Sequence, residues 1–530
     1  MAIRQQTSPP NDAQRAASPA VRTAGKVQRR VGGFLDGAIF FFLCLLAILL
    51  PHSIKGAQHS WQIVFLLWLI KLAVERKRPF PQPLSAPLLA YVTLSGISSA
   101  LSPDLNLSWD RMKIVCLVLV GITVGQNLHR LKQVRVLIFL LVLSGLAAAG
   151  FTAWQYTYGV GVGIAHVDGE SPLYQAHVYQ DDIIQCINGR RVHTPRQMEQ
   201  LVEQSPPGTL LRIDLLHGYP FHKKRIYIVR EQLLKSGLGT AALPLTRGHP
   251  LKAQGTLGHY VVFAEMLMQI GCMTWAMLLS AEPRKRGLRL LLAVIFVALV
   301  AALFLTETRA ALGGLAVGGF VAVLMLTGKR SRYWATAALL IFVVAAAAWV
   351  RHTRGPGWLG LQDPGTHFRT MMWEDGVRLI GQHPWFGVGM ETIRNHWEQW
   401  HIRAFSFFHD ESHFHNDMIQ IAVERGLPAL AAWLWFVIAY LVFLLQLIRR
   451  CRGRSRFATG AAVGVLAGFV AYQTTAIVHY DLGIESVAMI LFFYFGLAIA
   501  IDRMLADPPP QRVQLRDSSG APEPGAVDVP

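Results

Sequence analysis

Charged residues are scarce in this chain. Only 15% of its 530 residues are Asp, Glu, Lys or Arg, whereas 52% are hydrophobic and the mean hydropathy is +0.35. Soluble domains carry roughly a quarter charged residues, so this composition excludes an ordinary soluble protein. It predicts a polytopic membrane protein that is built mainly from α-helices.

Acidic residues and cysteines are scarcer still. The chain has 32 Asp and Glu against 50 Lys and Arg, which gives a formal net charge of +18. The basic residues form short clusters between apolar runs, as the positive-inside rule describes, so we interpret them as orienting the helices and predict no nucleic-acid partner. The five cysteines show no spacing typical of a disulfide or a metal site.

Apolar runs of about 20 residues are long enough to cross a membrane. The sequence predicts about twelve such spans, near residues 34–51, 59–74, 84–102, 112–128, 135–156, 257–280, 288–306, 311–328, 333–350, 428–448, 458–479 and 484–505. With the N-terminus in the cytoplasm, every inside loop is basic, and the outside connections are much poorer in Lys and Arg. We therefore predict a bacterial inner-membrane protein whose two long polar segments face the periplasm.

These boundaries predict seven sections. They are a disordered cytoplasmic tail (1–33), helices 1–5 (34–156), a periplasmic domain (157–234), helices 6–9 (235–350), a periplasmic loop (351–427), helices 10–12 (428–505) and a second disordered cytoplasmic tail (506–530).

The segment 157–234 alternates apolar and polar residues in strand-like runs, with a helical stretch between turn signals. Its residues Ser171-Pro172, Asp181-Asp-Ile-Ile184 and Asn188-Gly189 resemble the bacterial PDZ domain of periplasmic proteases. The resemblance implies a small α+β domain that binds an extended peptide of a partner protein by strand addition. The peptide-binding residues would be Gly161, Val162, Gly163 and Ile164. The alternative is a spacer or docking domain that binds no free chain terminus.

The loop 351–427 concentrates histidine, arginine and tryptophan. Its motifs are Phe368-Arg369-x-x-Met372-Trp373, Gly381-Gln-His-Pro384-x-Phe386-Gly387-Val-Gly389 and His413-Phe-His415-Asn416-Asp417, with Glu424-x-Gly426 seven residues later. Two further stretches are Arg247-Gly-His-Pro with Gly255-Thr-Leu-Gly-His259, and Thr306-x-Thr-Arg309. Together they resemble the O-antigen ligase and O-antigen polymerase family over residues 30–505, apart from the inserted domain.

This resemblance implies transfer of a glycan from a polyprenyl diphosphate to a hydroxyl of lipid A core, a growing glycan or a protein. Arginines held in place suit a leaving diphosphate, because the planar guanidinium stays charged and donates two hydrogen bonds to phosphate oxygens. A histidine suits proton removal from the hydroxyl. Neither a metal nor a cofactor is required.

The resemblance and this chemistry assign a role to each candidate residue. The predicted catalytic residues are His415, Arg309 and Arg369, and the predicted substrate-binding residues are Arg247, His259, His413, Asn416, Asp417 and Trp373. Asn416 or Asp417 would orient His415. The alternative for Arg309 is an interfacial anchor.

Several functions stay open from the sequence. Ligase, polymerase and protein O-oligosaccharyltransferase share the donor, and the number of spans with one dominant outer loop favours the ligase. A membrane scaffold or carrier that recruits partners through the PDZ-like domain is the non-enzymatic alternative. A zinc protease is disfavoured because Glu411, between His409 and His413, does not follow the first histidine directly.

Overall fold

A computed structural model describes residues 19–76, 79, 84–217, 222–237, 243–248, 252–354, 364–403 and 413–506. The tail residues 1–18 and 507–530, and the loop residues 355–363 and 404–412 with His409 and Glu411, lie outside this description. The fold is mainly helical with a small antiparallel sheet, which confirms the predicted fold class.

The first six helices precede the sheet. They are α1 (Pro19–Leu49), α2 (Ile54–Glu75), α3 (Ser85–Ala100), α4 (Leu105–Val115), α5 (Val118–Asn127) and α6 (Leu131–Tyr158). Two details differ from the sequence prediction. Helix α1 begins at Pro19, within the predicted tail 1–33, because proline is compatible with the first helical position. The predicted span 112–128 is divided at Cys116 and Leu117 between α4 and α5.

A sheet domain with its own apolar core follows α6. Its strands are β1 (Gly161–Ile164), β2 (Ile183–Ile187), β3 (Arg190–Arg191), β4 (Leu210–His217), β5 (His222–Val229) and β6 (Leu245–Gly248), and its helices are α7 (Pro172–Gln175), α8 (Pro195–Glu203) and α9 (Arg230–Lys235). All pairings are antiparallel, in the order β5-β4-β2-β1-β6, with β3 on β2.

Strand β6 corrects two expectations. It lies beyond residue 234, so the domain is longer than predicted; a strand of four residues is too short to show alternation in the sequence. It also pairs with β1 on the side opposite β2. The predicted peptide-binding strand, Gly161–Ile164, is therefore internal, and β6 is the edge strand on this side of the described sheet.

The two ends of the sheet domain lie side by side. Val160, two residues after α6, donates its backbone N–H to the carbonyl of Gly248 at 2.8 Å. The domain is thus an insertion whose entry and exit are adjacent.

The second half of the chain is again helical. It contains α10 (Tyr260–Ser280), α11 (Arg286–Leu305), α12 (Arg309–Leu326), α13 (Lys329–Arg354), α14 (Pro364–Gln382), α15 (Ile393–His396), α16 (Asp417–Cys451), α17 (Arg456–Thr475) and α18 (Glu485–Ala506). Nine helices in the described part of the chain are long and apolar enough to cross a membrane. The predicted count of twelve is not confirmed: α3 has 16 residues, the predicted span 112–128 is divided between α4 and α5 with 11 and 10, and α13, which contains the predicted span 333–350, is not among the nine.

Helix α16 bends at Gly426, whose φ is +81°. A Cβ at this position would lie 2.2 Å from the carbonyl oxygen of Trp385, so the bend brings the chain after α14 into direct backbone contact with α16. Two further bonds fix this contact: the N–H groups of Val388 and Gly389 donate to the carbonyls of Val423 and Glu424, each at 2.9 Å.

Candidate functional site

The predicted loop residues lie at one end of the helical bundle. Helices α10, α12, α16 and α18 begin at this end and α17 finishes there, as the 2.9 Å bond from Asp417 N–H to the Ala476 carbonyl shows for α16 and α17. Helix α12 packs closely against α17, because a Cβ on Gly314 would lie 3.0 Å from the Ala471 carbonyl.

His413 and His415 stand on either side of a buried anchor, Phe414. The Phe414 side chain is fully buried; its N–H donates to Gln420 Oε1 at 2.7 Å, and its carbonyl accepts from Trp373 Nε1 at 3.1 Å. The two imidazole centroids are 4.4 Å apart. His415 has a φ of +49°, a left-handed conformation that is uncommon for non-glycine residues and recurs at functional sites.

Asn416 and Asp417 have structural roles in this geometry. Asn416 caps α16 by accepting from Ile419 N–H at 3.0 Å, and its amide donates to the Ile477 carbonyl at 2.9 Å. The buried Asp417 carboxyl accepts from Tyr472 Oη at 2.7 Å and from Leu482 N–H at 3.1 Å. Both side chains therefore fasten the loop to the α17–α18 connection, and no described bond from either reaches His415.

A buried ion pair lies about two turns further along α16. The Arg425 guanidinium, 2% exposed, approaches Glu424 at 3.5 Å and donates to the hydroxyls of Tyr91 and Tyr480. Glu424 Oε1 accepts from Gln420 Nε2 at 2.9 Å and from Glu391 N–H at 3.0 Å. Burial raises the pKa of Tyr480 well above its usual value, so this phenol stays protonated.

Sequence reasoning missed a second group of ionisable residues, formed by Glu265 on α10 and by His479 and Asp481 between α17 and α18. His479 Nδ1 lies 2.8 Å from Glu265 Oε1, and both carboxylic side chains are fully buried. Asp481 accepts from the Thr475 hydroxyl. The available signal was Glu265 itself, since an ionisable residue inside an apolar helix is a functional candidate.

The environment changes the acidity of this group. Burial, reinforced by the neighbouring Glu265, raises the pKa of Asp481 well above its usual value. The pKa of His479 is lowered, mainly by burial and also by the charge of Arg369, while Asp481 opposes this shift. Arg369, half-buried on α14, is therefore near His479.

Glu265, His479 and Asp481 are also the described residues that could together hold a metal ion, since their ligand atoms lie within 4.8 Å of one another. Two carboxylates and an imidazole are acceptable ligands for a divalent transition metal. The 2.8 Å separation of His479 and Glu265, however, is a hydrogen-bond distance and needs no ion to explain it.

The remaining predicted residues are dispersed. Arg309 is the first residue of α12 and is exposed. His259 occupies the N-cap position of α10, and its ring stacks on that of Tyr260 with centroids 5.3 Å apart. Arg247 lies in β6, opposite Val162. The structure thus gathers His413, His415, Trp373 and Arg369 around the α16 start, places Arg309 and His259 at the same end of the bundle, and assigns Arg247 to the sheet domain.

A cavity of about 640 Å³ opens at this end between α2, α4, the start of α18 and the segment that precedes α10. Its lining includes His52, Lys55, Gln58, Lys113, Thr256 and Glu485. Two lysines and a histidine around one cavity suit an anionic group.

Comparison with known proteins identifies one family. Residues 294–434 match the model of the O-antigen ligase family. The matched interval runs from α11 into α16 and contains Arg309, Arg369, Trp373 and both loop histidines. No curated protein matches the chain significantly.

The Asn416 cap can be separated from a substrate-binding role. Replacement of an N-cap Asn by alanine costs about 1 kcal/mol, so we expect Asn416→Ala to lower the melting temperature of the purified protein. The matched control is Ser455→Ala, which removes the cap of α17 at the opposite end of the bundle. If Asn416→Ala melts like the wild type, the cap does not stabilise the fold; loss of activity at that unchanged melting temperature would assign Asn416 to substrate binding.

Proposed function

We propose that this protein, whose residues 294–434 match the O-antigen ligase family, is a glycosyltransferase of the ligase and polymerase type and transfers a glycan from a polyprenyl diphosphate to a hydroxyl. The observation that carries this proposal is the geometry inside the matched interval. Two imidazoles lie 4.4 Å apart, and Arg369, one turn before Trp373 on α14, is at the same end of the bundle. This arrangement supplies a base and a cation for one displacement reaction.

His415 is the proposed base. It removes the proton of the acceptor hydroxyl while the hydroxyl oxygen attacks the anomeric carbon of the donor. The bond from that carbon to the diphosphate breaks, and its electron pair leaves with the diphosphate. Trp373 and Phe414 act indirectly, because their hydrogen bond fixes the backbone between the two histidines.

Arg369 and Arg309 are the proposed diphosphate ligands. Negative charge grows on the diphosphate as the bond breaks, so cations placed beforehand stabilise the transition state more than the ground state. Arg369 supports this role through its position near His479. Arg309 supports it through its place at the start of α12, where the helix dipole also favours an anion.

The basic loops between the predicted spans support an inner-membrane location with this end of the bundle in the periplasm. Ligation to lipid A core is the proposed outcome, and His259 and the cavity beside Thr256 are the proposed places for further anionic groups of the substrates. Polymerisation of repeat units is the alternative outcome of the same chemistry, and analysis of lipid-linked glycans distinguishes the two.

The sheet domain is proposed as a docking module in the manner of a PDZ domain. Pro244 and Gly248 accept bonds from residues 165 and 160, on the β1 side. Because ladder bonds alternate along a strand, the backbone groups of Leu245 and Arg247 face the outer edge of β6. An extended peptide of a partner would therefore pair with β6, and the exposed Arg247 favours an acidic one.

The first of two predictions from the proposed function concerns its chemistry. In a strain that lacks the gene, His415→Ala and Arg369→Ala are each expected to reduce transfer at least 100-fold, since each removes a transition-state contact. Arg378→Ala is the matched control for Arg369, because Arg378 lies on the same helix and binds Asp375 and two carbonyls.

The readout for these variants is the pool of lipid-linked glycans. Long unligated chains indicate a lost ligase, and single repeat units indicate a lost polymerase. Wild-type glycan from a well-expressed His415→Ala or Arg369→Ala protein would remove that residue from the mechanism.

The second prediction uses the adjacent ends of the sheet domain. Deleting residues 161–247 and joining Val160 to Gly248 should leave transfer by the purified protein within about threefold of wild type, because their backbones are already hydrogen-bonded and the loop needs little closure. The control deletion, residues 161–232, leaves β6 without its partner β1 and should lower the melting temperature. Complete loss of transfer in a folded 161–247 deletion would mean that the domain builds part of the site.

A further inference from the structure

His479 has the geometry of an acid–base residue. Its Nδ1 lies 2.8 Å from Glu265 Oε1, so the two atoms share one hydrogen bond, in which an ionised Glu265 accepts from the N–H of the imidazole. Nδ1 therefore carries the hydrogen in the neutral ring, and Nε2 is the nitrogen that gains or loses a proton. Histidines oriented by a carboxylate in this way serve as acids and bases in enzymes.

The position of His479 is that of a site residue and not of a core residue. Its side chain keeps 12% of its surface exposed, whereas Glu265 behind it has none. The next residue, Tyr480, has its ring 6.0 Å from that of His413. The imidazole thus lies between the buried carboxyls and the end of the bundle that carries His413, His415 and Arg369.

Charged groups approach His479 from three elements. Glu265 comes from α10, Asp481 from the α17–α18 connection, and Arg369 from α14. Asp417 on α16 acts on this group through Asp481. The carboxyls stabilise an imidazolium and the arginine opposes it, so an arriving diphosphate that neutralises Arg369 favours protonation of His479.

We infer that His479, held by Glu265, is a second acid–base residue of this site and donates a proton to the departing diphosphate. The inference rests on the proposed function. As the bond to the anomeric carbon breaks, its electron pair stays on the bridging oxygen, which takes the proton from Nε2. His415 has accepted one proton from the acceptor hydroxyl, and exchange with water restores both rings.

The test is the pH dependence of transfer by the purified full-length protein, with a polyprenyl-diphosphate glycan as donor. A base and an acid together give a bell-shaped profile. His479→Gln is expected to slow transfer about 10- to 100-fold and to abolish the fall in rate at high pH, while the fall at low pH remains. Glu265→Gln should move the high-pH fall to lower pH by about one unit.

The matched control is His217→Gln in the sheet domain. His217 Nδ1 also lies 2.8 Å from a carboxylate, that of Asp182, but far along the chain from the proposed chemistry. This variant should keep both limbs of the profile and the wild-type rate. The melting temperature of every variant is measured as a check on folding. If His479→Gln does not fold, the pH profile of Glu265→Gln, which preserves the side-chain shape, tests the inference.

Three results overturn the inference in distinguishable ways. A slower His479→Gln enzyme with an unchanged profile would show that the imidazole only supports the fold. Loss of wild-type activity on chelation, with recovery on adding Mn²⁺ or Zn²⁺ and no bound metal in His479→Gln, would make His479 a metal ligand. A folded wild-type protein that never consumes the donor would reject the proposed function itself.

Discussion

A chain of hydrogen bonds that starts at a buried charge holds the loop histidines in place. Arg425 pairs with Glu424, Glu424 accepts from Gln420, and Gln420 accepts from the backbone of Phe414. A guanidinium buried in a bundle of apolar helices must be paired and hydrogen-bonded, because an isolated charge there is very unfavourable. Arg425 is thus connected through Glu424 and Gln420 to the backbone of Phe414, between His413 and His415.

The same requirement explains why several elements meet at this point. Arg425 also donates to Tyr91 on α3 and to Tyr480 between α17 and α18, and Glu424 receives the N–H of Glu391. Gly426 permits the bend that brings Trp385 onto α16. The loop is therefore held where the buried charge of Arg425, the bend at Gly426 and the start of α16 lie close together. A change in any of the three would displace the loop.

The second buried group also needs hydrogen-bond partners, but its partners are of a different kind. Glu265, Asp481 and Asp417 are all buried, and the nearby cation Arg425 is already paired with Glu424. Asp417 is satisfied by Tyr472 and a backbone amide, whereas Glu265 binds His479. Glu265 is therefore paired with an imidazole, a group that gains and loses protons far more readily than the Tyr472 hydroxyl or a backbone amide.

Much of this organisation was predictable from the sequence, and the exceptions have physical causes. Helices were predictable because apolar length is a strong signal, and the family resemblance located the loop that the matched domain contains. The hydrogen bonds of Asn416 and Asp417 were not, because their partners lie 55–65 positions away in the sequence. Strand β6 was too short to recognise, and Arg247 was consequently assigned to the membrane domain.

In the proposed function, this end of the bundle carries out one direct displacement on a lipid-linked glycan. The most direct measurement supplies purified protein in lipid nanodiscs with a polyprenyl-diphosphate glycan and rough lipopolysaccharide, and determines the products and the configuration of the new glycosidic bond. We predict that one polyprenyl diphosphate is released for each glycosidic bond formed and that the anomeric configuration is inverted. A retained configuration, or a folded protein that leaves the donor intact, would contradict it.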